Sequence, residues 1–107
     1  MSTAETVRRG MPFTELPNCE WQVFEHERAL QCRALLCPEE TGFSAHCLNL
    51  PGVVSQGESE KEAIENIADA FRETILYYRS TDEAVPWAEV PVEYPAGSRE
   101  RWILVRI

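Results

Sequence analysis

The sequence predicts an α+β domain in the order β-β-β-α-β: an antiparallel three-stranded sheet, one amphipathic helix packed on one face, and a C-terminal strand parallel to the third. Three observations carry this reading. Leu50-Pro51-Gly52 is a turn signal, with Pro51 fixing its own φ and Gly52 free to take angles closed to other residues. Ser59-Glu60-Lys61-Glu62 has the spacing of a helix cap, and apolar residues then recur at intervals of three and four as far as Tyr78. The C-terminal run Arg101-Trp-Ile-Leu-Val-Arg-Ile107 is β-branched and aromatic and alternates as a strand does.

Taken in order, Ala29 to Cys37 reads as the first strand, Pro38 to Gly42 as a turn, and Phe43 to Leu48 as the returning strand of a hairpin. A five-residue loop would set Cys37 opposite Phe43 and Leu35 opposite Ala45, beneath the helix. Leu30, Cys32, Ala34, Leu36 and Leu48 would then line the other face, which is too apolar to stay wet. Either Trp21, Val23 and Phe24 of the N-terminal segment fold across it, or a second copy packs there as a symmetric dimer. Residues 1–28 read as an extension to a domain spanning 29–107.

Val53 to Gln56, bracketed by Gly52 and Gly57, suits a brief third strand. Ser59 then opens a helix over about 60–79. Its hydroxyl is expected to accept from the N–H of Glu62, and the Glu62 carboxylate to reach back to the N–H of Ser59. Glu58, Glu60 and Glu62 place negative charge at the positive end of the helix dipole, which accounts for them without any catalytic role. Ala63, Ile64, Ile67, Ala68, Phe71, Ile75 and Tyr78 form the stripe that covers the sheet. Asn66 lies beside that stripe, placed to bond backbone at the strand-to-helix corner. On the solvated side Asp69 and Arg72 have useful i,i+3 spacing, worth about 0.2–0.5 kcal/mol. Residues 80–98, with Pro86, Pro91, Pro95 and Gly97, read as an extended connection with Trp87 pinned on the domain. A right-handed crossover would then bring the strand at 101–107 in parallel to the third.

A chain of 107 residues with 44% apolar content suits one small core. The formal charge is −8, with 18 acids against 10 bases, and Lys61 is the sole lysine. Holding a nucleic-acid backbone requires clustered Lys and Arg, so direct nucleic-acid binding is not expected. An acidic surface instead suits a basic protein partner, reached by electrostatic steering. No apolar run approaches the roughly 18 residues that would span a bilayer, and no signal segment follows Arg8-Arg9, so a soluble, cytoplasmic protein is expected.

Cys19, Cys32, Cys37 and Cys47 lack a Cys-x-x-Cys pair and read as free thiols. Alternation along strands points Cys32 away from Cys37 and His46 away from Cys47, so no metal site is expected. No nucleophile with a supporting acid is set up around His46 or His26, so no catalytic residue is assigned and no cofactor is implied.

Gly42-Phe43-Ser-Ala45, the Leu50-Pro51-Gly52 turn, Gln56-Gly57-Glu58-Ser59 and Glu62-Ala63 with Asn66 and Ala70 together resemble the core pattern of the HicB family, the antitoxin half of a bacterial toxin–antitoxin pair. The resemblance covers about residues 29 to 79 and singles out Pro51, Gly52, Gly57, Ser59, Glu62 and Asn66. It implies a truncated ribonuclease H-like fold. It also implies binding to a small basic HicA-like toxin, an mRNA-cleaving protein whose active site the antitoxin masks. Ribonuclease chemistry itself would need converging acids and two metal ions, and the first strand, Ala29 to Cys37, carries none. Family antitoxins usually add a DNA-binding module after this domain, which is not expected here because the sequence closes on a strand, and Asn49 stands where Asp is frequent.

The function expected is therefore a non-enzymatic, antitoxin-type inhibitor of a HicA-like toxin, with a stand-alone HicB-like homo-oligomeric regulator as the alternative. Trp21, Phe24, His46, Glu58, Trp87 and Trp102 are the candidate partner-binding residues, since aromatics and charges dominate interface anchors. The alternative for the three tryptophans is that they simply fill the core.

Overall fold

The computed structural model describes residues 13–16 and 29–107. Five strands and one helix make up the described elements: β1 (Phe13–Leu16), β2 (Ala29–Pro38), β3 (Phe43–Cys47), β4 (Val54–Gly57), α1 (Glu60–Ser80) and β5 (Arg99–Arg106). The strands form one sheet in the order β1-β5-β2-β3-β4, antiparallel throughout. β1 lies inside the segment read as an extension and pairs with β5, Phe13 opposite Val105.

The C-terminal strand is therefore not parallel to the third, and it is not beside it. β5 pairs with β2, Cys32 opposite Ile103 and Leu36 opposite Arg99. The crossover rule assumes that the helix is the whole return path. Here α1 travels about 30 Å at 1.5 Å per residue, and residues 81–98 then retrace that length outside any regular element. The chain re-enters the sheet at the end where α1 began, so Arg99 and Arg101 meet Glu60, at 3.0 and 2.8 Å.

The hairpin register differs from expectation by one residue. Pro38 ends β2 and pairs with Phe43, leaving a four-residue loop at Glu39–Gly42, and Leu36 sits opposite Ala45. Proline is tolerated because even-numbered residues of β2 turn their backbone toward β5, which has already ended opposite Leu36. A slip of one residue exchanges the faces of a strand. Cys32, Ala34 and Leu36 thus lie under the helix, while Leu35 and Cys37 form a small buried cluster with Leu48 on the other side. The apolar outer face expected to need a second copy does not exist in that form, and the ground for placing one there goes with it.

The main core sits between α1 and the sheet. Ala63, Ile64, Ile67, Ala68, Phe71 and Ile75 are buried against Cys32, Ala34, Leu36, Ala45, Cys47, Ile103 and Val105. Ser59 Oγ accepts from Glu62 N at 3.1 Å, but the Glu62 carboxylate reaches one residue further back than expected and accepts from Glu58 N at 2.7 Å. Arg72 does not simply face Asp69; its Nε donates to the Arg106 carbonyl at 3.2 Å, tying the helix to β5. The i,i+4 pair that forms is Lys61–Glu65 at 3.2 Å. The helix stops where Asp82 turns left-handed at φ 60 and the N–H groups of Thr81 and Asp82 close on the carbonyls of Tyr77 and Arg79.

Candidate partner-binding surfaces

Two surfaces stand out from the residues upward. The first is an open, polar groove of about 710 Å³ at the end of the sheet where α1 begins, lined by Glu39, Thr41, Phe43, Gln56, Glu58 and Glu62 among others. Gly57 makes it possible: a Cβ there would stand 2.4 Å from the backbone nitrogen of Ala63, so only glycine lets the helix start this close to β4. Asn66 closes one side by donating from Nδ2 to the Gln56 carbonyl at 2.7 Å. That carbonyl points off the open edge of β4, so Asn66 also blunts the edge against strand addition. Two of the groove's acids already have local work, Glu62 on the Glu58 N–H and Glu39 on the Ser44 hydroxyl at 2.8 Å.

The second surface is the connection at residues 81–98. It carries Asp82, Glu83, Glu89 and Glu93 and no Lys or Arg. It is fastened at its midpoint by Asn49. In a regular antiparallel ladder the Arg33 N–H would bond the Leu48 carbonyl. Instead Asn49 Oδ1 accepts from Arg33 N at 3.1 Å and Asn49 Nδ2 donates to the Gln31 carbonyl at 2.9 Å. The freed Leu48 carbonyl takes the Val90 N–H at 2.8 Å, and Ala88 N–H bonds the Asn49 carbonyl at 3.3 Å. Arg33 adds a second fastening. Its Nε meets Glu100 at 3.0 Å, its Nη1 meets Glu89, and its guanidinium lies 5.6 Å over the Trp102 ring. Burial pulls the Arg33 pKa down, but the bonds and charges of Glu100 and Glu89 outweigh it and carry the value above normal.

The sequence-derived candidates fall in different places. Pro51 and Gly52 form the exposed turn, Gly52 at φ 88. Glu58 lines the groove. His46 lies on the face away from the helix, opposite Leu35 and Val54. Trp87 packs at a tilt on Phe71 with ring centres 5.9 Å apart, yet stays 44% exposed. Trp102 is half-buried beneath Arg33. Trp21 and Phe24 lie outside the described residues. Arg33 and Tyr94 were not singled out in the sequence, and Asn49 only as standing where the family has Asp; the signal for Tyr94 was the stretch of acids without a base at 81–98.

Cys32, Cys37 and Cys47 are free and buried. Cys32 Sγ donates to Cys47 Sγ at 3.8 Å, and Cys47 Sγ to Asn49 Oδ1 at 3.1 Å. The bond to Cys47 and burial push the Cys32 thiol well up, and the same bond draws Cys47 down. Burial raises Cys37. Thiols so enclosed are poor nucleophiles toward anything in solution. Among the described residues no three His, Cys, Asp or Glu side chains converge as a metal site, and no helix is long and apolar enough to cross a membrane.

The sequence matches no family model and none of the curated proteins. Its structure is similar to the crystal structure of the N-terminal domain of Burkholderia pseudomallei antitoxin HicB, with a TM-score of 0.55 and 24% identity over 73% of this chain and 98% of that one. The likeness establishes the fold, which corresponds to nearly the whole of that solved domain.

Proposed function

We propose that this chain is a non-catalytic, antitoxin-type inhibitor that binds a small basic HicA-like toxin and masks its RNA-cleaving site. The observation that carries the reading is the fold shared with almost the whole of an antitoxin domain. The formal charge of −8 supports it, because an acidic surface both steers a basic partner to encounter and competes with RNA for the same cations. Inhibition by masking asks only for a surface that covers the toxin's site. Electrostatic encounter makes association fast and salt-dependent.

The test is to co-express the chain with the small basic protein encoded by the adjacent reading frame, purify the pair, and measure mRNA cleavage with and without the chain. A stable complex and suppressed cleavage are expected. A toxin that cleaves equally well at saturating concentrations of this chain sinks the proposal. The absence of any adjacent basic reading frame would shift the reading to a stand-alone, homo-oligomeric regulator.

A further inference from the structure

Resting on the antitoxin reading above, we infer that the connection at residues 81–98, and not the groove at the start of α1, is the surface that docks the basic partner, with Trp87, Val92 and Tyr94 as its apolar anchors and Asp82, Glu83 and Glu93 as its charges. Connections longer than about 12–15 residues without secondary structure are uncommon in compact domains and usually serve a function of their own. This one has 18 residues, and four of the chain's 18 acids fall in it with no Lys or Arg among them; Glu89 pairs with Arg33 of β2, which leaves Asp82, Glu83 and Glu93. Of the six large hydrophobic side chains exposed among the described residues, three lie here: Trp87, Val92 and Tyr94, the last 57% exposed.

The combination matters more than either part. Charge alone gives steering and little affinity, while buried aromatics supply most of the energy at interfaces. The groove offers charge without an exposed aromatic, and Glu62 and Glu39 are held by the cap and by Ser44. The helix end offers Leu76 and Tyr77 as exposed apolar side chains, but Arg79 lies beside them, which does not suit a cationic partner.

The connection is also preorganised. Pro86, Pro91 and Pro95 limit its backbone, Ala88 and Val90 are bonded to Asn49 and Leu48, Glu89 is held by Arg33, and one side of Trp87 rests on Phe71. Little conformational freedom remains to be lost on docking. The complementary surface is cationic, with shallow apolar pockets spaced for a tryptophan and a tyrosine.

The experiment measures binding of the co-encoded basic protein to the full chain and to single variants by titration calorimetry. Tyr94→Ala is expected to weaken binding about 30-fold and Glu93→Lys about 10-fold, with the Glu93→Lys loss shrinking at high salt. Both residues are exposed, so neither change depends on refolding the core; Trp87→Ala, about 30-fold, is read only after a melt shows it folded. Glu58→Lys in the groove and Tyr77→Ala on the helix are expected to stay within twofold of the unchanged chain. Binding by the unchanged chain that survives Tyr94→Ala and Glu93→Lys within twofold overturns the inference and leaves the antitoxin reading standing. Failure of the unchanged chain to bind at all overturns that reading, and this inference with it.

Discussion

The two faces of the sheet are held by different physics. On the helix side, six residues of α1 bury themselves against three strands, and burial does nearly all the work. On the other side the buried cluster is Leu35, Cys37 and Leu48, and beside it a polar network of Asn49, Arg33, Glu89 and Glu100 ties an irregular connection to the strands. Packing on the first face is non-directional and is not weakened by salt screening. Fastening on the second depends on individual donors and acceptors, and it can be loosened without unfolding the domain.

The largest expected effect follows from that contrast. Phe71 is fully buried and touches both the core and Trp87, so Phe71→Ala should cost about 3–5 kcal/mol in urea unfolding. A loss below about 1 kcal/mol would mean that the helix side is not the store of stability described here. Gly57→Ala should come next, at about 1–3 kcal/mol, because the added methyl meets the backbone of α1. Gly52→Ala is the control: that residue is equally a glycine of the motif, but nothing lies within 4 Å, and only the strain of φ 88 remains, about 1 kcal/mol. Gly57 itself has no positive φ, so an effect no larger than that of Gly52→Ala would show that the helix yields to the added methyl at little cost.

Asn49→Asp probes the outer face. It removes the donor to the Gln31 carbonyl and sets a carboxylate against that oxygen, at an expected cost of about 1–2 kcal/mol. Hydrogen exchange should show the Val90 amide released first, since its acceptor is available only because Asn49 diverts the ladder. Arg33→Met should cost about 1 kcal/mol, less at high salt, because Glu89 is mostly exposed and its pairing is screened. If Val90 keeps its protection in both variants, the connection is held by something other than this network.

The same division explains what could be read from the sequence. The helix and its cap were legible because Ser59, Glu62 and the Ala63 to Ile75 stripe are local signals whose geometry is set within four residues. Asn66, beside that stripe, bonds a strand carbonyl, Gln56, ten residues away, so its partner is set by the strand-to-helix corner and not by the helix alone. The faces of β2 were inverted because everything rested on whether Pro38 belongs to the loop or the strand. That depends on how far β5, sixty residues later, extends along it. The direction of β5 failed for a related reason: a crossover rule treats a connection as a link, and here residues 81–98 are as long a journey as the helix. The acids of 81–98 do not show in the net charge of the chain, because the arginines of β5 follow directly after them.

The smallest expected effect assigns an alkaline loss of stability to one face or the other. Cys32 on the helix side and Cys37 on the outer side both have thiol pKa values raised above the ordinary 9.0, Cys32 by its bond to Cys47 and by burial, Cys37 by burial. The folded state therefore holds these protons more tightly than the unfolded chain. Their contribution is fully present below pH 9 and is lost as pH rises from there through the folded-state values. Cys47, drawn down by the same bond, works in the opposite direction and offsets part of the loss. The urea midpoint should thus fall as the pH rises above 9. Cys32→Ala should flatten the fall more than Cys37→Ala, because the larger displacement belongs to the thiol under the helix, where no water can reach a thiolate. If both variants decline as steeply as the unchanged chain, the thiols are not the titrating groups; if Cys37→Ala flattens it more, the outer cluster is the drier of the two.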